Sequence, residues 1–265
     1  MNDQRTELSG LAKNTISKCE RIVKKLGETV SGKRGLDSGM RSMLRDMRNL
    51  LISSEEKLKE AKETIKTLRE KINKVLATLR VFKGLIKAAK TKDENLKRGL
   101  PAEDIQNILG GITKDIMGGV DGYQKAKKGD GTASVLGSIL GGITRLTAGI
   151  IKAVNRPDVG PKLDSALRNI DKAIRIVQEQ KEAMEKEAEL IIMWKDAVLL
   201  VKQDVFGGNL KERTEKEDQD LYEEIEEIIE DGDVQEIYDS FNGLRDAASG
   251  YLNHVKTVCR ACTEQ

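Results

Sequence analysis

The sequence has very little proline, few aromatic side chains and a single histidine. Of its 265 residues only 3 are proline and 3% are aromatic, whereas 34% are charged. Its apolar residues are mainly Leu, Ile, Val, Ala and Met, which in a background of Lys and Glu are typical of long amphipathic helices. The composition therefore predicts an all-α protein.

The scarcity of histidine narrows the chemistry that one chain can perform. With His254 alone, the chain has neither a histidine acid–base pair nor a multi-histidine metal site. The turn at residues 231–233 lacks the central glycine and the closing glutamate of a calcium loop. We therefore expect no enzymatic activity and no cofactor.

The first residues of the sequence are polar, and no apolar stretch follows them. A cleavable secretory signal needs such a stretch. We expect a protein that is soluble when it is produced, without a cleavable signal peptide. It either stays in the cytoplasm or leaves by a route that reads no leader.

Charge is unevenly distributed along the chain. Residues 1–100 contain 25 Lys and Arg against 13 Asp and Glu, whereas residues 212–233 contain 12 Asp and Glu against 2 Lys and Arg. We expect these regions to lie against each other or to form the surface of a polar rod. Because few aromatic side chains are available for base stacking, we expect no nucleic-acid partner.

Four stretches carry apolar residues at alternating steps of three and four, the pattern of helices packed in a bundle. The longest covers residues 37–91 and predicts one continuous helix of roughly 80 Å. A partner helix begins at Pro161 and ends at Gly207-Gly208. A short acidic helix at residues 221–229 precedes the last stretch.

Each stretch has one seam of residues that we expect to form the core. The terminal seams are Leu8, Ala12, Thr15, Cys19, Ile22 and Leu26, and Val234, Ile237, Phe241, Leu244, Ala248, Tyr251, Val255, Val258 and Cys262. The two long seams are Met40, Leu44, Met47, Leu51, Ser54, Leu58, Ala61, Ile65, Leu68, Ile72, Val75, Leu79, Phe82, Ile86 and Ala89, and Leu163, Leu167, Ile170, Ile174, Val177, Met184, Ala188, Ile191, Trp194, Val198, Val201 and Val205.

Three cysteines are too few for a disulfide scaffold. Cys259 and Cys262 form a C-x-x-C, which together with His254 and Cys19 has the ligand types of a zinc site. The five-residue step from His254 to Cys259, however, places these two on different faces of a helix. We favour a contact between Cys19 and Cys262, both on predicted seams, either as buried thiols or as one disulfide.

Residues 99–156 differ from the rest of the chain, because the heptads stop and glycine becomes frequent. The run Ile-Leu-Gly-Gly-Ile-Thr occurs at 108–113 and again at 139–144, on either side of a charged turn at 125–131. The pattern predicts a hairpin of two apolar arms, either a tightly packed core element or a segment that enters a membrane.

The second arm favours the membrane. Residues 133–151 contain one charge, Arg145, and approach the roughly 20 residues that a membrane-crossing helix needs. Glycine also destabilises a helix in water by about 1 kcal/mol relative to alanine, so a purely soluble helix is not expected to accumulate it. The first arm, residues 105–120, is shorter and carries Lys114 and Asp115, so it would not span alone.

The residues expected to enter lipid are the apolar and glycine residues of both arms. They are Ile105, Ile108, Leu109, Gly110, Gly111, Ile112, Ile116, Met117, Val120, Val135, Leu136, Gly137, Ile139, Leu140, Gly141, Gly142, Ile143, Leu146, Ile150 and Ile151.

The order of long helices, central apolar hairpin and long helices resembles the ClyA-type α-helical pore-forming toxins, including the related enterotoxin components. This resemblance implies a hydrophobic tongue, here residues 105–154, that is stowed on the bundle and released at a membrane. It also implies export without a leader, action at a target-cell membrane, and partners that are lipid, other copies of the chain in a ring, or related toxin components. A weaker resemblance is to apolipoprotein L-type helical proteins.

We therefore expect one elongated helical-bundle domain over residues 1–265, with residues 100–156 as an apolar hairpin subregion. The leading functional hypothesis is a membrane-permeabilising, pore-forming protein. The rival is a coiled-coil scaffold or adaptor whose hairpin only caps the bundle.

Overall fold

The computed structural model describes residues 2–32, 36–93, 160–208, 215–231, 234–259 and 262–263. In these ranges the chain forms five α-helices and no strand: α1 (Asn2–Gly32), α2 (Ser38–Asp93), α3 (Gly160–Phe206), α4 (Glu215–Glu230) and α5 (Gln235–Val258). The predicted all-α class is confirmed.

The long predicted helices form without interruption. α2 contains 56 residues and α3 contains 47, and each covers its predicted seam. α3 ends at two glycines in the left-handed region, Gly207 with φ 59° and Gly208 with φ 78°. The Gly208 N–H donates to the Lys202 carbonyl oxygen at 3.0 Å, which satisfies a carbonyl that the end of the helix would otherwise leave unpaired.

The chain divides into two compact units, and α2 and α3 contribute residues to both. Unit 1 contains residues 1–65 and 185–265, and unit 2 contains residues 66–184. The boundary thus falls within two continuous helices rather than in a linker. The prediction of one domain over residues 1–265 stays a prediction.

Unit 1 contains α1, α4, α5 and parts of α2 and α3, and its consecutive long helices run antiparallel. Along α1 and α2, Lys25 pairs with Asp37 at 2.9 Å and Glu7 pairs with Lys57 at 3.0 Å, so the start of one helix lies beside the later part of the other. α5 also packs antiparallel along α1, because the Cys262 sulfur, just after the end of α5, lies 3.7 Å from the Asn2 carbonyl oxygen at the start of α1. This is the up-down arrangement of many helix bundles.

The core of unit 1 follows the predicted seams closely. All six predicted positions of α1 are buried, as are eight of the nine positions predicted from Val234 to Cys262. Polar residues on the seams bond within their own helix, since Thr15 donates to the Leu11 carbonyl and Ser54 donates to the Leu50 carbonyl, at 2.9 and 2.7 Å. The hydroxyls of Thr15 and Ser54 are therefore satisfied within the core.

The acidic helix α4 lies against the basic start of α2, as the charge distribution predicts. Arg41 pairs with Glu226 at 2.9 Å, and Arg48 pairs with Asp218. The Arg41 guanidinium also lies over the Tyr222 ring, 5.6 Å from its centroid. Opposite charges thus attach α4 to the side of the bundle.

Candidate functional site

All the residues expected to enter lipid lie between residues 94 and 159, outside the described residues. Their assignment stays a prediction. The structure does describe the two helices that hold the ends of this segment, because α2 ends at Asp93 and α3 begins at Gly160.

These two helices pair within unit 2. The Lys83 ammonium lies 2.5 Å from the Asp171 carboxylate. Lys83 precedes the end of α2 by ten residues and Asp171 follows the start of α3 by eleven, which corresponds to roughly 15 Å along each helix. Both ends of the apolar segment are therefore held by one helix pair, near the same ion pair.

The seam of unit 2 is less completely covered than the seam of unit 1. Leu68, Val75, Leu167 and Ile174 are each partly exposed, although they occupy predicted core positions. In unit 1, by contrast, α1 buries every predicted position. Unit 2 thus buries fewer of its predicted seam positions than unit 1 does, although Leu76 and Ala173 are buried beside Val75 and Ile174.

A buried ion pair joins α1 to α3 inside unit 1. Arg5 is 6% exposed and Glu187 is 2% exposed. The Arg5 Nε donates to both carboxylate oxygens at 3.1 Å, and its Nη2 donates to Glu187 Oε2 at 2.7 Å. Such a fork combines charge with fixed geometry, so it defines how the start of α1 sits on α3.

Tyr251 of α5 completes this polar layer. Its hydroxyl lies 3.5 Å from Glu187 Oε1, and its ring packs against Trp194 with centroids 5.5 Å apart. Burial, together with the negative charge of Glu187, raises the pKa of the Tyr251 phenol well above its usual range. The phenol therefore remains a neutral hydrogen-bond donor at physiological pH.

Three further polar atoms are buried in unit 1 without a hydrogen-bond partner among the described residues. They are Arg48 Nε on α2, the Ser9 hydroxyl, one turn after Arg5 on α1, and the Trp194 indole N–H. An unpaired polar atom in a core lowers the stability of the folded state.

Sequence reasoning missed the ion pair because it followed apolar residues only. On α3 it assigned the seam position to Ala188, which is partly exposed, whereas Glu187 is buried. That assignment is wrong. The steps from Met184 to Glu187 and on to Ile191 are three and four residues, so heptad spacing alone points to Glu187. The same spacing, extended back from Leu8 by three residues, points to Arg5.

The cysteine pairing predicted between Cys19 and Cys262 is also wrong. Cys262 bonds to Cys259, while Cys19 is a buried free thiol. The reason is the antiparallel packing of α1 and α5, because Cys262 lies beside Asn2 and Cys19 is seventeen residues further along α1, roughly 25 Å away. Cys19 and Cys262 do both occupy buried positions, as expected.

The described ranges contain neither a cluster of side chains that could hold a metal ion nor a helix able to cross a membrane. In these ranges no cluster of His, Cys, Asp or Glu has the arrangement of a metal site. Cys259 and Cys262 are bonded to each other in a disulfide and are therefore not available as metal ligands. Of the helices α1 to α5, none has an apolar stretch long enough to cross a membrane.

Residues 27–33 match the first part of the phosphate-loop pattern, Gly-x-x-x-x-Gly-Lys, which sequence reasoning also overlooked. The pattern requires a loop whose free backbone N–H groups surround the phosphates, followed by Ser or Thr. Here Gly27 and Gly32 lie inside α1, and Arg34 occupies the hydroxyl position. The backbone N–H groups of a helix are already bonded, so this match carries no nucleotide site.

The buried ion pair gives a test of its role in stability. We expect Arg5→Met and Glu187→Leu each to lower the free energy of unfolding by about 3 kcal/mol, because each leaves one charge buried and unpaired. The double variant Arg5→Met/Glu187→Leu removes both charges, so we expect it to be more stable than either single variant. Urea unfolding followed by circular dichroism measures all three.

The matched control for this series is Arg45→Met, which removes an exposed arginine from α2 and should change the stability by less than about 0.5 kcal/mol. If the double variant lost as much free energy of unfolding as the two single variants together, the result would contradict a coupled ion pair.

The free thiol gives a second test. Burial raises the pKa of the Cys19 thiol to about 12; the positive charge of Arg245 opposes this shift and the negative charge of Glu20 adds to it. Because the thiolate is the reactive form, we expect no fast reaction of the folded, non-reduced protein with Ellman's reagent at pH 8, and one reactive thiol in denaturant.

The same pKa shift affects stability at high pH. In the unfolded chain this thiol ionises near pH 9, whereas in the folded chain it stays protonated at that pH. The buried thiol's contribution to the stability of the folded state is therefore complete below pH 9 and is lost as the pH rises towards 12. Rapid labelling of one thiol in the folded protein, or a disulfide-linked peptide that contains Cys19, would contradict the assignment.

Comparison with known proteins identifies no relative. The chain matches no protein-family model, no curated protein and no solved structure. The resemblance to ClyA-type toxins therefore rests on the order of helices and apolar segment in the sequence, and membership of that family stays a prediction.

Proposed function

We propose that this chain is a membrane-permeabilising α-helical protein, a cytolysin or a component of a toxin, and that the segment between α2 and α3 enters lipid. The observation that carries the proposal is the helix pair of unit 2, in which one ion pair lies near both ends of this segment. A segment anchored at both ends in one place is presented to a membrane as a single hairpin.

The sequence of the segment supports lipid as its destination. Residues 133–151 carry one charge, and a charge at the centre of a bilayer is costly, whereas Ile, Leu and Val are favoured there. Gly137 and Gly141 are four residues apart, the spacing that lets two helices approach closely within a membrane.

The difference in packing between the units supports a mechanism in which unit 2 changes and unit 1 persists. The partly exposed seam at Leu68, Val75, Leu167 and Ile174 makes the anchors of the segment easier to open. Unit 1 is held by a continuous core and by the Arg5–Glu187 pair. On membrane contact, release of the segment then requires rearrangement of unit 2 only.

After insertion, the remaining polar groups of the segment need partners that lipid does not provide. Lys114 and Arg145 lie within the apolar arms, and charged side chains inside a membrane face other protein or water. Assembly of several copies around a water-filled lumen satisfies both residues. The proposed activity is therefore oligomeric, either with copies of the same chain or with related toxin components.

Dye release from liposomes tests this function. We expect the wild-type protein to release dye at micromolar concentration, and Gly141→Asp to reduce the rate at least about tenfold, because aspartate near the bilayer centre costs about 2.5–3.5 kcal/mol. The matched control is Gly84→Asp, since Gly84 is an exposed glycine of α2 with open space around its Cα, and we expect it to release dye as fast as the wild type.

The dye-release results distinguish the identity of the inserting segment from the membrane function itself. Equal rates for wild type and Gly141→Asp would show that the segment is not the inserting element. No release by the wild type, with or without detergent activation and with no haemolysis when combined with related toxin components, would overturn the membrane function.

A second function, a coiled-coil scaffold without membrane activity, is favoured by a different observation. The outer face of α3 in unit 1 exposes several apolar side chains, among them Met193 at 57% and Leu200 at 55%. Exposed apolar patches often mark protein–protein contacts. A protein that leaves liposomes intact but binds other proteins through this face would be a scaffold.

A further inference from the structure

The part of α3 that belongs to unit 2 carries three basic side chains on one face, Arg168, Lys172 and Arg175, which we call the basic stripe. They are four and three residues apart, so they lie on the same side of the helix. All three are exposed, whereas Ile170 and Val177 are buried. The basic stripe therefore projects away from the buried face of α3.

The side chains around the basic stripe do not neutralise it. Within the described residues none of its three members forms an ion pair. Asp171, the one acidic residue inside the stripe, pairs with Lys83 of α2 at 2.5 Å. Like charges three or four residues apart destabilise a helix, so the stripe does not stabilise α3. Its arrangement suits an anionic partner instead.

Positive charge on both helices of unit 2 is concentrated towards the apolar segment. Residues 162–176 of α3 contain four Lys and Arg against two Asp and Glu, whereas residues 177–191 contain two against five. On α2, residues 71–92 contain seven Lys and Arg and no Asp or Glu, whereas residues 49–70 contain five of each. The basic stripe is thus part of a wider positive region that adjoins residues 94–159.

The basic stripe is also close to the end of that segment along the chain. α3 begins at Gly160, so Arg168 follows the start of the helix by eight residues and Arg175 by fifteen, which corresponds to roughly 12 and 23 Å. A surface that contacts the stripe is therefore within reach of the place where the apolar segment joins α3.

We propose that the basic stripe docks the protein on anionic lipid headgroups, with the start of α3 lying along the membrane surface, before residues 94–159 insert. The inference rests on the proposed function, because docking is the step that precedes insertion. Arg and Lys donate charge-assisted hydrogen bonds to the phosphate and carboxylate oxygens of such headgroups. Anionic membranes attract clusters of basic residues that lie next to an apolar segment.

Nucleic acid, the other common partner of a basic helix, fits this part of α3 less well. Proteins that bind single-stranded nucleic acid stack the bases on aromatic side chains, and residues 160–184 contain no aromatic residue. The basic stripe also adjoins an apolar segment, which has a place in a bilayer but none on a nucleic-acid duplex. The combination of positive charge and apolar sequence therefore favours lipid.

Vesicle co-sedimentation tests the docking. Every protein carries Gly141→Asp, which by the proposed function impairs insertion, so the binding measured is that of docking. We expect binding to phosphatidylcholine vesicles with about 30 mol% phosphatidylserine, and at least about tenfold weaker binding to phosphatidylcholine alone. Sodium chloride at about 0.5 M should also weaken the binding, because it shortens the Debye length to below about 5 Å.

The variant Arg168→Gln/Lys172→Gln/Arg175→Gln tests the basic stripe itself. Each basic residue near an anionic surface strengthens binding about fivefold, so we expect this variant to bind the anionic vesicles about a hundredfold more weakly than its parent. Glutamine is a good helix former, and circular dichroism confirms that the variant is folded.

The matched control removes the same number of charges from unit 1. Arg21→Gln/Lys24→Gln/Arg45→Gln replaces two exposed arginines and one exposed lysine, so the net charge falls by as much as in the stripe variant. We expect the control to bind anionic vesicles as well as its parent does.

The proposal is overturned if the stripe variant binds anionic vesicles as well as its parent, if the control loses as much affinity, or if vesicles without anionic lipid bind equally well. Tighter binding to a DNA duplex than to anionic vesicles at equal phosphate concentration, lost in the stripe variant, would assign the stripe to nucleic acid and overturn lipid as its partner. Docking that depends on anionic lipid, without dye release by the wild type, would overturn the membrane-permeabilising function and leave the docking standing. Dye release at the same rate from vesicles with and without anionic lipid would overturn the docking alone.

Discussion

The arrangement of the terminal helices depends on the buried ion pair between Arg5 and Glu187. Most other positions on the seams of α1 and α3 are filled by apolar side chains, and apolar packing alone fixes the position of one helix along another less precisely. A forked pair with its oxygens 2.7–3.1 Å from the guanidinium does not tolerate such a shift. Tyr251 extends the layer to α5, so one set of polar contacts aligns three helices of unit 1.

The two units differ in how completely they bury their predicted seams. Unit 1 encloses its seams within four helices and attaches α4 by the Arg41–Glu226 and Arg48–Asp218 pairs. The described part of unit 2 is a pair of helices with several seam residues partly exposed. The apolar segment between α2 and α3 is attached to unit 2. A protein that must keep its fold while it releases one segment benefits from having the anchors of that segment in its less densely packed part.

Sequence periodicity predicted the helices and most of the core, because a heptad of apolar residues is read directly from the chain. It failed where burial depends on tertiary pairing. Glu187 is buried only because Arg5 arrives from another helix, and Cys262 bonds to Cys259 because the antiparallel packing of α1 and α5 carries Cys19 away from it. The periodicity of α3 alone does not reveal Arg5, whereas Cys259 is only three residues from Cys262 and was available in the sequence as a C-x-x-C. The predicted membrane-inserting residues lie outside the described residues. Their assignment depends on the composition of the segment and on the helices that hold its two ends.

The central claim is that the segment between α2 and α3 enters lipid, and an environment-sensitive fluorophore at Gly141→Cys tests it most directly. The single native free thiol, Cys19, is buried and its pKa is raised, so we expect the added cysteine to be labelled selectively without reduction of the disulfide. With liposomes that contain a quencher attached to the acyl chains, the account predicts a blue shift and quenching at residue 141, and neither at the same label on Gly84→Cys. A label at residue 141 that stays in water on membranes that the protein permeabilises would contradict the account.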